Sequence, residues 1–268
     1  MSTRTQPQKP QHKLGIVLSG GGAKGYAHIG VLKALEEYHI HPTAISATSM
    51  GALIGCLYAA GFSAHEILSL ISNKSWTGFI KLSWSRKAIF SLNKVREELS
   101  DILQAHTFES LNKTLFINVS NLTLAREETY SKGPLIDVVM ASCAIPVVFE
   151  PVELNQYQYV DGALYNNFHI APLTHSCKTL IGSHCNPITP ASQTLSSIWD
   201  IAERSLNIAV AHNAKSALQA CDWLIEPTKL NAYSIWDFNK VEEIAQIGYE
   251  YALQAIKQLP DLHELTPS

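Results

Sequence analysis

A serine between a predicted strand and a predicted helix is the residue of this chain best placed for chemistry. Ser49 lies in the sequence ATSMGAL, directly after the apolar segment Ala44–Ala47. This layout is typical of a nucleophile elbow, a sharp turn that exposes a serine hydroxyl and needs small neighbours. The amide end of the following helix would favour an anion formed there, whereas a serine that only caps the helix is the alternative. We expect the elbow to consist of Ser49 with Ala47, Thr48, Met50 and Gly51.

A glycine-rich segment, LSGGGAKGYAHIG at residues 18–30, follows the first predicted strand, Leu14–Leu18. Its spacing matches G-x-G-x-x-G, the fingerprint of dinucleotide-binding loops. That function also needs an acidic residue near the end of the second strand, where this chain has the uncharged sequence SATS. A P-loop is disfavoured too, because Lys24 is followed by glycine rather than by serine or threonine. We therefore expect no nucleotide and predict that an oxyanion is stabilised above the serine by the amides of Gly20, Gly21 and Gly22.

The sequence YVDGALYNN supplies a candidate general base for the serine. Asp161 follows the predicted strand Tyr157–Val160, and Gly162 allows the chain to turn sharply after it. An ordinary Asp-Gly turn is the alternative interpretation. The chain has eleven histidines, but none has the strand-end position near the C-terminus that a Ser-His-Asp triad of the α/β-hydrolase type would use.

Four segments together, SGGGAKG, ATSMG, SCAIPVVFEPV and DGALYNN, resemble the patatin-like phospholipase family, and its bacterial single-domain members in particular. The resemblance covers about residues 14–185 and implies a three-layer α/β/α sandwich with a mainly parallel sheet. It also implies a Ser-Asp dyad without histidine, which hydrolyses fatty-acyl esters of phospholipids, lysophospholipids or neutral lipids through an acyl-enzyme. Carried onto this chain, Ser49 is the nucleophile and Asp161 the base, the three loop glycines form the oxyanion hole, and further motif positions are Lys24, Gly25, Gly162 and Ala163.

Three positions depart from the family pattern. Ala47 replaces the first glycine of the elbow, and Ala163 replaces the second glycine of the usual D-G-G. Both residues are small, so we expect little effect. His169 stands where the family often has proline, which places a titratable group near Asp161 in sequence. We interpret His169 as a partly exposed loop histidine, with a role in catalysis as the alternative.

The elements that must position these residues alternate along the chain. Short apolar strands at Leu14–Leu18, Ala44–Ala47, Leu115–Val119, Tyr157–Val160 and Leu180–His184 are separated by segments with helical periodicity. Longer helical patterns run over residues 195–220 and 241–259. This alternation predicts one α/β domain over residues 14–268, with the C-terminal helices packed onto a mainly parallel sheet, after a flexible polar tail at residues 1–13.

Composition narrows the class of protein. With 46% hydrophobic and 16% charged residues the chain is predicted to be globular, and a net charge of −3 argues against a nucleic-acid partner. The five cysteines have no paired spacing, and the first thirteen residues resemble neither a signal peptide nor an anchor, which favours a cytoplasmic location. His175, Cys177, His184 and Cys185 have poor spacing for a metal, so we expect no metal and no cofactor.

Within residues 75–90, the segment 75–87 combines two tryptophans, a phenylalanine and three cations, as a lid or a lipid-facing surface would. A packed loop or a subunit contact is the alternative, so peripheral membrane contact and the oligomeric state stay open.

Two other functions also remain. A malonyl-transferase-like acyltransferase would use the same serine but also a histidine and an arginine, and no arginine lies within the motifs. A lipid-binding module without activity would not need both Ser49 and Asp161.

Overall fold

The computed structural model describes residues 11–73, 81–82, 90–190 and 195–258, with the side chains of residues 81, 82, 90 and 199 excepted. The predicted lipid-facing stretch, residues 75–90, therefore falls almost entirely outside the described residues. Within the described ranges, no helix has the length and apolar character needed to cross a bilayer. The strands are β1 (His12–Leu18), β2 (Ala44–Ala47), β3 (Lys81–Leu82), β4 (Phe90–Ser91), β5 (Thr114–Asn121), β6 (Arg126–Tyr130), β7 (Val152–Leu154), β8 (Tyr157–Asp161), β9 (Cys177–Ser183) and β10 (Trp223–Ile225). The α-helices are α1 (Ala27–Glu37), α2 (Met50–Ala59), α3 (Ala64–Asn73), α4 (Asn93–Ile102), α5 (Leu135–Cys143), α6 (Ala171–Thr174), α7 (Ile198–Leu218) and α8 (Val241–Lys257).

The main sheet has eight strands in the order β10-β9-β1-β2-β5-β8-β7, with β6 paired to β5 outside this path. The five strands from β10 to β5 run parallel, whereas β6, β7 and β8 pair in antiparallel fashion. The mainly parallel sheet is thus confirmed, and its antiparallel part lies beside β5. β3 and β4 form a separate antiparallel pair.

Helices cover both faces of the sheet, and the alternation of residues in β1 shows why. Leu14, Ile16 and Leu18 point into the larger core, which α1, α2, α3, α5 and α8 share. Val17 points the other way, into a smaller core that includes Leu173 of α6 and residues of α7. Because successive strand residues face opposite sides and both sides are buried, the strand is apolar throughout. The three-layer α/β/α arrangement predicted from the resemblance is confirmed.

Most predicted elements occur close to their expected bounds. β1 begins at His12 rather than at Leu14, and β9 covers Cys177–Ser183 rather than Leu180–His184. α2 begins at Met50, so the helix starts directly after Ser49. A capping box precedes α3, since Ser63 Oγ accepts from the amide of Glu66 at 3.2 Å and the Ser63 amide donates to Glu66 Oε2 at 2.8 Å.

Two glycines allow α8 to lie against α1 at very short range. A Cβ atom on Gly30 would overlap the carbonyl oxygen of Ala245, and one on Gly248 would overlap that of Ala27. Any larger residue at either position must push the helices apart, and α1 follows directly after the glycine loop. The contact between α1 and α8 therefore helps to fix the position of the glycine loop that precedes α1.

We expect Gly248→Val to lower the free energy of unfolding by about 2–3 kcal/mol, because the new side chain overlaps the backbone of α1. Urea denaturation followed by circular dichroism measures this change. Gln254→Val, at an exposed position of the same helix, is the matched control and should cost about 0.5 kcal/mol. Equal losses in the two variants would mean that helix propensity, rather than the close contact, sets the effect.

Candidate active site

Ser49 sits in a strained turn between β2 and α2. Its backbone has φ 55° and ψ −126°, a left-handed conformation that non-glycine residues rarely adopt outside functional sites. The turn is held by a bond from the Ser49 amide to Ser142 Oγ at 2.9 Å. Ser142 Oγ in turn donates to the carbonyl of Asn118 at 2.8 Å. The amide that follows β2 is thus fixed by β5 through a side chain of α5.

Small residues around the turn let the backbone of β1 approach it. A Cβ on Gly51 would lie 2.5 Å from the carbonyl oxygen of Leu18 and 2.6 Å from that of Ser19, so only glycine fits. Ala47 is fully buried at the end of β2. Thr48 is also buried, and its amide donates to the carbonyl of Leu18 at 3.1 Å. The predicted elbow residues therefore do surround Ser49.

Ser49 and Asp161 are joined by a hydrogen bond. Ser49 Oγ donates to Asp161 Oδ2 at 2.6 Å, although the two residues are 112 positions apart in the chain. The strand register explains the approach, because Ala47 is paired with Ile117 of β5 and Asp161 with Val119 of the same strand. Both side chains therefore reach the same end of β5 from neighbouring strands.

The carboxylate of Asp161 is almost fully buried and has few partners. Its Oδ1 accepts from the amide of Ala163 at 2.9 Å, and its Oδ2 accepts from Ser49. Burial raises the pKa of Asp161 to about 6, although the hydrogen bonds from Ser49 and Ala163 act in the opposite direction. A carboxylate with a raised pKa is a stronger base than an exposed one, which suits it to accept a proton from a serine. Gly162 is required next to it, since a Cβ there would overlap the carbonyl of Asn118.

The three loop glycines differ in how their amides are used. The amide of Gly20 donates to the carbonyl of Asn167 at 3.3 Å. The amides of Gly21 and Gly22 donate to no group in the described part of the chain. Both glycines line the same cleft as Ser49 and Asp161. Two unused donors thus belong to residues that line the cleft beside the serine, where an oxyanion would need them.

Ser49 lies where this cleft meets an apolar cavity. The cavity is lined by Tyr26, Leu53, Ile71, Leu92, Val95, Phe149 and Phe238 as well as by Ser49 and Met50. The cleft itself is lined partly by asparagines, among them Asn167, Asn186 and Asn207. Both sides of the serine are therefore mainly apolar, and the cleft differs from the cavity by its asparagines.

The remaining motif residues support the loop rather than the dyad. A Cβ on Gly25 would lie 2.5 Å from Met50 Cγ, so glycine there lets the methionine pack closely. Lys24 is buried, burial lowers the pKa of its ammonium, and its side chain lines a neighbouring cavity with Glu203 and Arg204.

No histidine in the described part of the chain bonds to Ser49 or Asp161. His169 binds Glu127 Oε1 at 2.7 Å and Thr129 Oγ1 at 2.8 Å. Its predicted partial exposure is wrong, because the polar side chains of β6 surround it and leave it buried. His28 is fully buried and donates from Nε2 to the carbonyl of Ser19 at 2.8 Å.

Sequence reasoning gave no role to the polar residues behind the site. Ser142 lies in the quoted segment SCAIPVVFEPV, but its contact with the Ser49 amide joins distant parts of the chain. Asn167 ends the quoted segment DGALYNN but was given no role, and Asn118 and Asn186 belong to none of the four segments. A buried polar residue inside or just after an apolar strand is the one signal that could have identified them.

Comparison with known proteins gives a consistent result. A family model described as patatin-like phospholipase matches residues 16–174. Lysophospholipase NTE1 of Kluyveromyces lactis is 25% identical over 286 residues, which cover 95% of this chain and 20% of that protein. An uncharacterised NTE family protein of Mycobacterium tuberculosis H37Rv is 29% identical over 70% of this chain and 54% of its own length. The crystal structure of VipD from Legionella pneumophila superposes with a TM-score of 0.60 at 18% identity, covering 92% of this chain and 67% of VipD. This chain therefore spans about a fifth of the Kluyveromyces relative and about half of the mycobacterial one.

The raised pKa of Asp161 predicts a pH-dependent change in stability. The folded pKa of about 6 lies above the ordinary value of 3.8, so the folded protein keeps a proton that the unfolded chain has lost. The wild type should therefore lose stability as pH rises from about 4 to about 7. Asp161→Asn has a similar shape and does not ionise. Its stability relative to the wild type should rise by about 3 kcal/mol between pH 4 and pH 8.

Urea denaturation at pH 4, 6 and 8 measures this difference. The same substitution at Asp101, exposed on α4, controls for the removal of one charge. A stability difference between Asp161→Asn and the wild type that stays constant across this range would contradict the raised pKa.

Proposed function

The chain belongs to the patatin-like phospholipase family, and we propose that it is a lipid acyl hydrolase that uses Ser49 and Asp161 as a catalytic dyad. The observation that carries this proposal is the 2.6 Å hydrogen bond between the serine hydroxyl and a buried carboxylate, beside two unused amides. The strained backbone of Ser49 supports the same role, since it presents the hydroxyl at the end of β2. The relatives support hydrolysis of a lipid ester, but they extend well beyond this chain.

In the proposed reaction, Ser49 Oγ attacks the carbonyl carbon of the ester while Asp161 Oδ2 accepts its proton. The carbonyl oxygen becomes negative and accepts hydrogen bonds from the amides of Gly21 and Gly22. Asp161 then returns the proton to the leaving alcohol as the ester bond breaks, which leaves an acyl-enzyme. A water molecule, deprotonated by the same carboxylate, releases the fatty acid and restores the serine.

The substrate we propose is a fatty-acyl ester whose chain enters the apolar cavity. Ser49 forms part of the cavity wall, and the cavity is otherwise lined mainly by apolar side chains. The cleft on the other side of the serine, which Asn207 lines among mainly apolar residues, leaves room for the alcohol part of the ester. A phospholipid or lysophospholipid combines these two parts in one molecule, and one relative is named a lysophospholipase.

Exposed apolar residues near the cleft suit contact with aggregated lipid. Val147, which is 71% exposed, follows Pro146 of the cleft wall, and exposed Tyr165 and Trp236 likewise follow residues of that wall. Exposed apolar residues grouped beside a binding cleft are typical of interaction surfaces. Peripheral contact with a lipid surface is therefore part of the proposed function.

Replacement of the proposed nucleophile tests the function. Ser49→Ala should lower kcat on nitrophenyl acyl esters by about 10⁴–10⁶-fold, because no other group can form the acyl-enzyme. Asp161→Asn should also slow modification of Ser49 by a fluorophosphonate, since an amide cannot accept the serine proton. Ser205→Ala, exposed on α7, is the matched control. Full activity of Ser49→Ala on esters of graded chain length would exclude the proposed dyad.

The acidic limb of the pH–rate profile should report the pKa of Asp161. Only the carboxylate can accept the serine proton, so kcat/KM should rise with pH through an apparent pKa of about 6 and then level off. Measuring this limb at several temperatures distinguishes a carboxylate from a histidine, because ionisation of a carboxyl group has a much smaller enthalpy. A limb that shifts with temperature as an imidazole does would argue for a histidine base.

A further inference from the structure

The carbonyl of Gly20 is held in place by residues that follow β9. Asn186 Nδ2 donates to it at 2.9 Å, and Cys185 Sγ donates to it at 3.2 Å. Asn167 Nδ2 lies farther away, at 3.5 Å. The amide of Asn186 is by distance and chemistry the strongest of these donors, because a thiol is a weak one.

A fixed carbonyl also fixes the next amide. The peptide bond between Gly20 and Gly21 is planar and trans, so the N–H of Gly21 points opposite to the C=O of Gly20. With the carbonyl directed at Asn186 and Cys185, the Gly21 N–H is directed away from them. Gly21, Ser49 and Asn186 all line the cleft, so an N–H that points away from Asn186 can still lie along the cleft wall. Glycine has no side chain that would hinder rotation of this peptide, so the anchor at the carbonyl decides the direction of the amide.

The side chain of Asn186 can hold this position in only one orientation. If its amide were rotated by 180°, the oxygen Oδ1 would face the carbonyl oxygen of Gly20, and two acceptors would repel each other. Both Oδ1 and Nδ2 would lie 3.1 Å from a Cβ placed on Gly21, so the flat amide packs directly against this glycine. Cys185 is fixed in turn, because its backbone amide donates to Ser19 Oγ at 3.0 Å.

We propose that Asn186 is a positioning residue, which directs the Gly21 amide at the oxyanion by binding the carbonyl of Gly20. This inference rests on the proposed function, since it assigns a residue that prepares the oxyanion hole of the same reaction. Asn186 belongs to none of the four sequence motifs and lies 166 positions from Gly20. Its contribution should appear in the transition state, where the oxygen carries negative charge, and not in binding of the uncharged ester.

Two substitutions distinguish positioning from packing. Asn186→Asp keeps the shape but replaces the donor by an acceptor, so the carboxylate repels the Gly20 carbonyl and turns the Gly21 amide out of the cleft. Asn186→Ala removes the donor and leaves the Cys185 thiol as a weaker anchor. A positioning role therefore predicts a lower kcat for Asn186→Asp than for Asn186→Ala. A packing role predicts the reverse order, with the kcat of Asn186→Asp close to that of the wild type.

We expect Asn186→Asp to lower kcat by about 10²–10³-fold, as for loss of one oxyanion donor, with KM changed by less than about two-fold. Asn186→Ala should lower kcat by about ten-fold. Affinity for a trifluoromethyl ketone, whose serine adduct carries an oxyanion, should fall in parallel with kcat. Asn112→Asp is the matched control. Asn112 does not line the cleft, and its Nδ2 also donates a 3.1 Å hydrogen bond to a backbone carbonyl, that of Ala60.

Fluorophosphonate labelling of Ser49 separates this inference from the proposed function. Complete but slower labelling of both Asn186 variants would support the positioning role, whereas failure to label the wild type would remove the proposed function itself. A rise in KM at unchanged kcat, or an Asp variant as active as the wild type, would overturn the inference. Thermal unfolding identifies a misfolded variant, and if Asn186→Asp does not fold, full kcat in a folded Asn186→Ala overturns the inference on its own.

Discussion

The site depends on one carboxylate that is kept away from water. Asp161 is buried, and among the described residues its carboxylate oxygens accept hydrogen bonds from two groups, the Ser49 hydroxyl and the Ala163 amide. Ionisation in such surroundings is unfavourable, which is why burial raises its pKa. In the proposed mechanism, the same unfavourable ionisation makes the carboxylate a stronger base toward the serine proton than an exposed one would be. A more generous set of donors would stabilise the charge and weaken the base.

Close backbone packing excludes water from this carboxylate and explains the glycines around it. Gly51 lies against the carbonyls of Leu18 and Ser19, and Gly162 against that of Asn118. From the sequence alone, glycine in the loop is expected because substrate must approach the backbone. In the structure, the space where a Cβ of Gly20 would lie is occupied by Asn167 and Ser49, and that of Gly21 by Cys185 and Asn186. These glycines therefore serve contact between parts of the protein itself.

Local patterns in the sequence were sufficient to predict the fold and to select Ser49 and Asp161 as candidate site residues. The apolar runs that predict β1 and β2 are buried on both faces. The turns after β1, β2 and β8 are predicted from the glycines, Ser49 and the Asp161-Gly162 pair that stand there. β6 (Arg126–Tyr130) was missed because its charged sequence REETY suits an edge of the sheet rather than its centre. Asn186 and Ser142 could not be assigned either, because each acts on a backbone group of a distant segment. His169 was predicted to be partly exposed, because the sequence does not show that β6 would cover it.

The two halves of the site are built from different parts of the sheet. Ser49 and Asp161 are held from β5 and α5, through Asn118, Ser142 and the pairing of β8. The glycine loop is held from β9, where Ser183 Oγ binds His28 Nδ1 at 2.7 Å and His28 Nε2 binds the carbonyl of Ser19.

Burial lowers the pKa of His28 to about 4, so near neutral pH this histidine is uncharged. A carbonyl can only accept, so Nε2 carries the proton, and Nδ1 accepts from Ser183. His28 thus has both ring nitrogens engaged in fixing the loop and has no free nitrogen to serve as a base. His28 therefore supports the glycine loop, and in the proposed mechanism proton transfer is left to the carboxylate of Asp161.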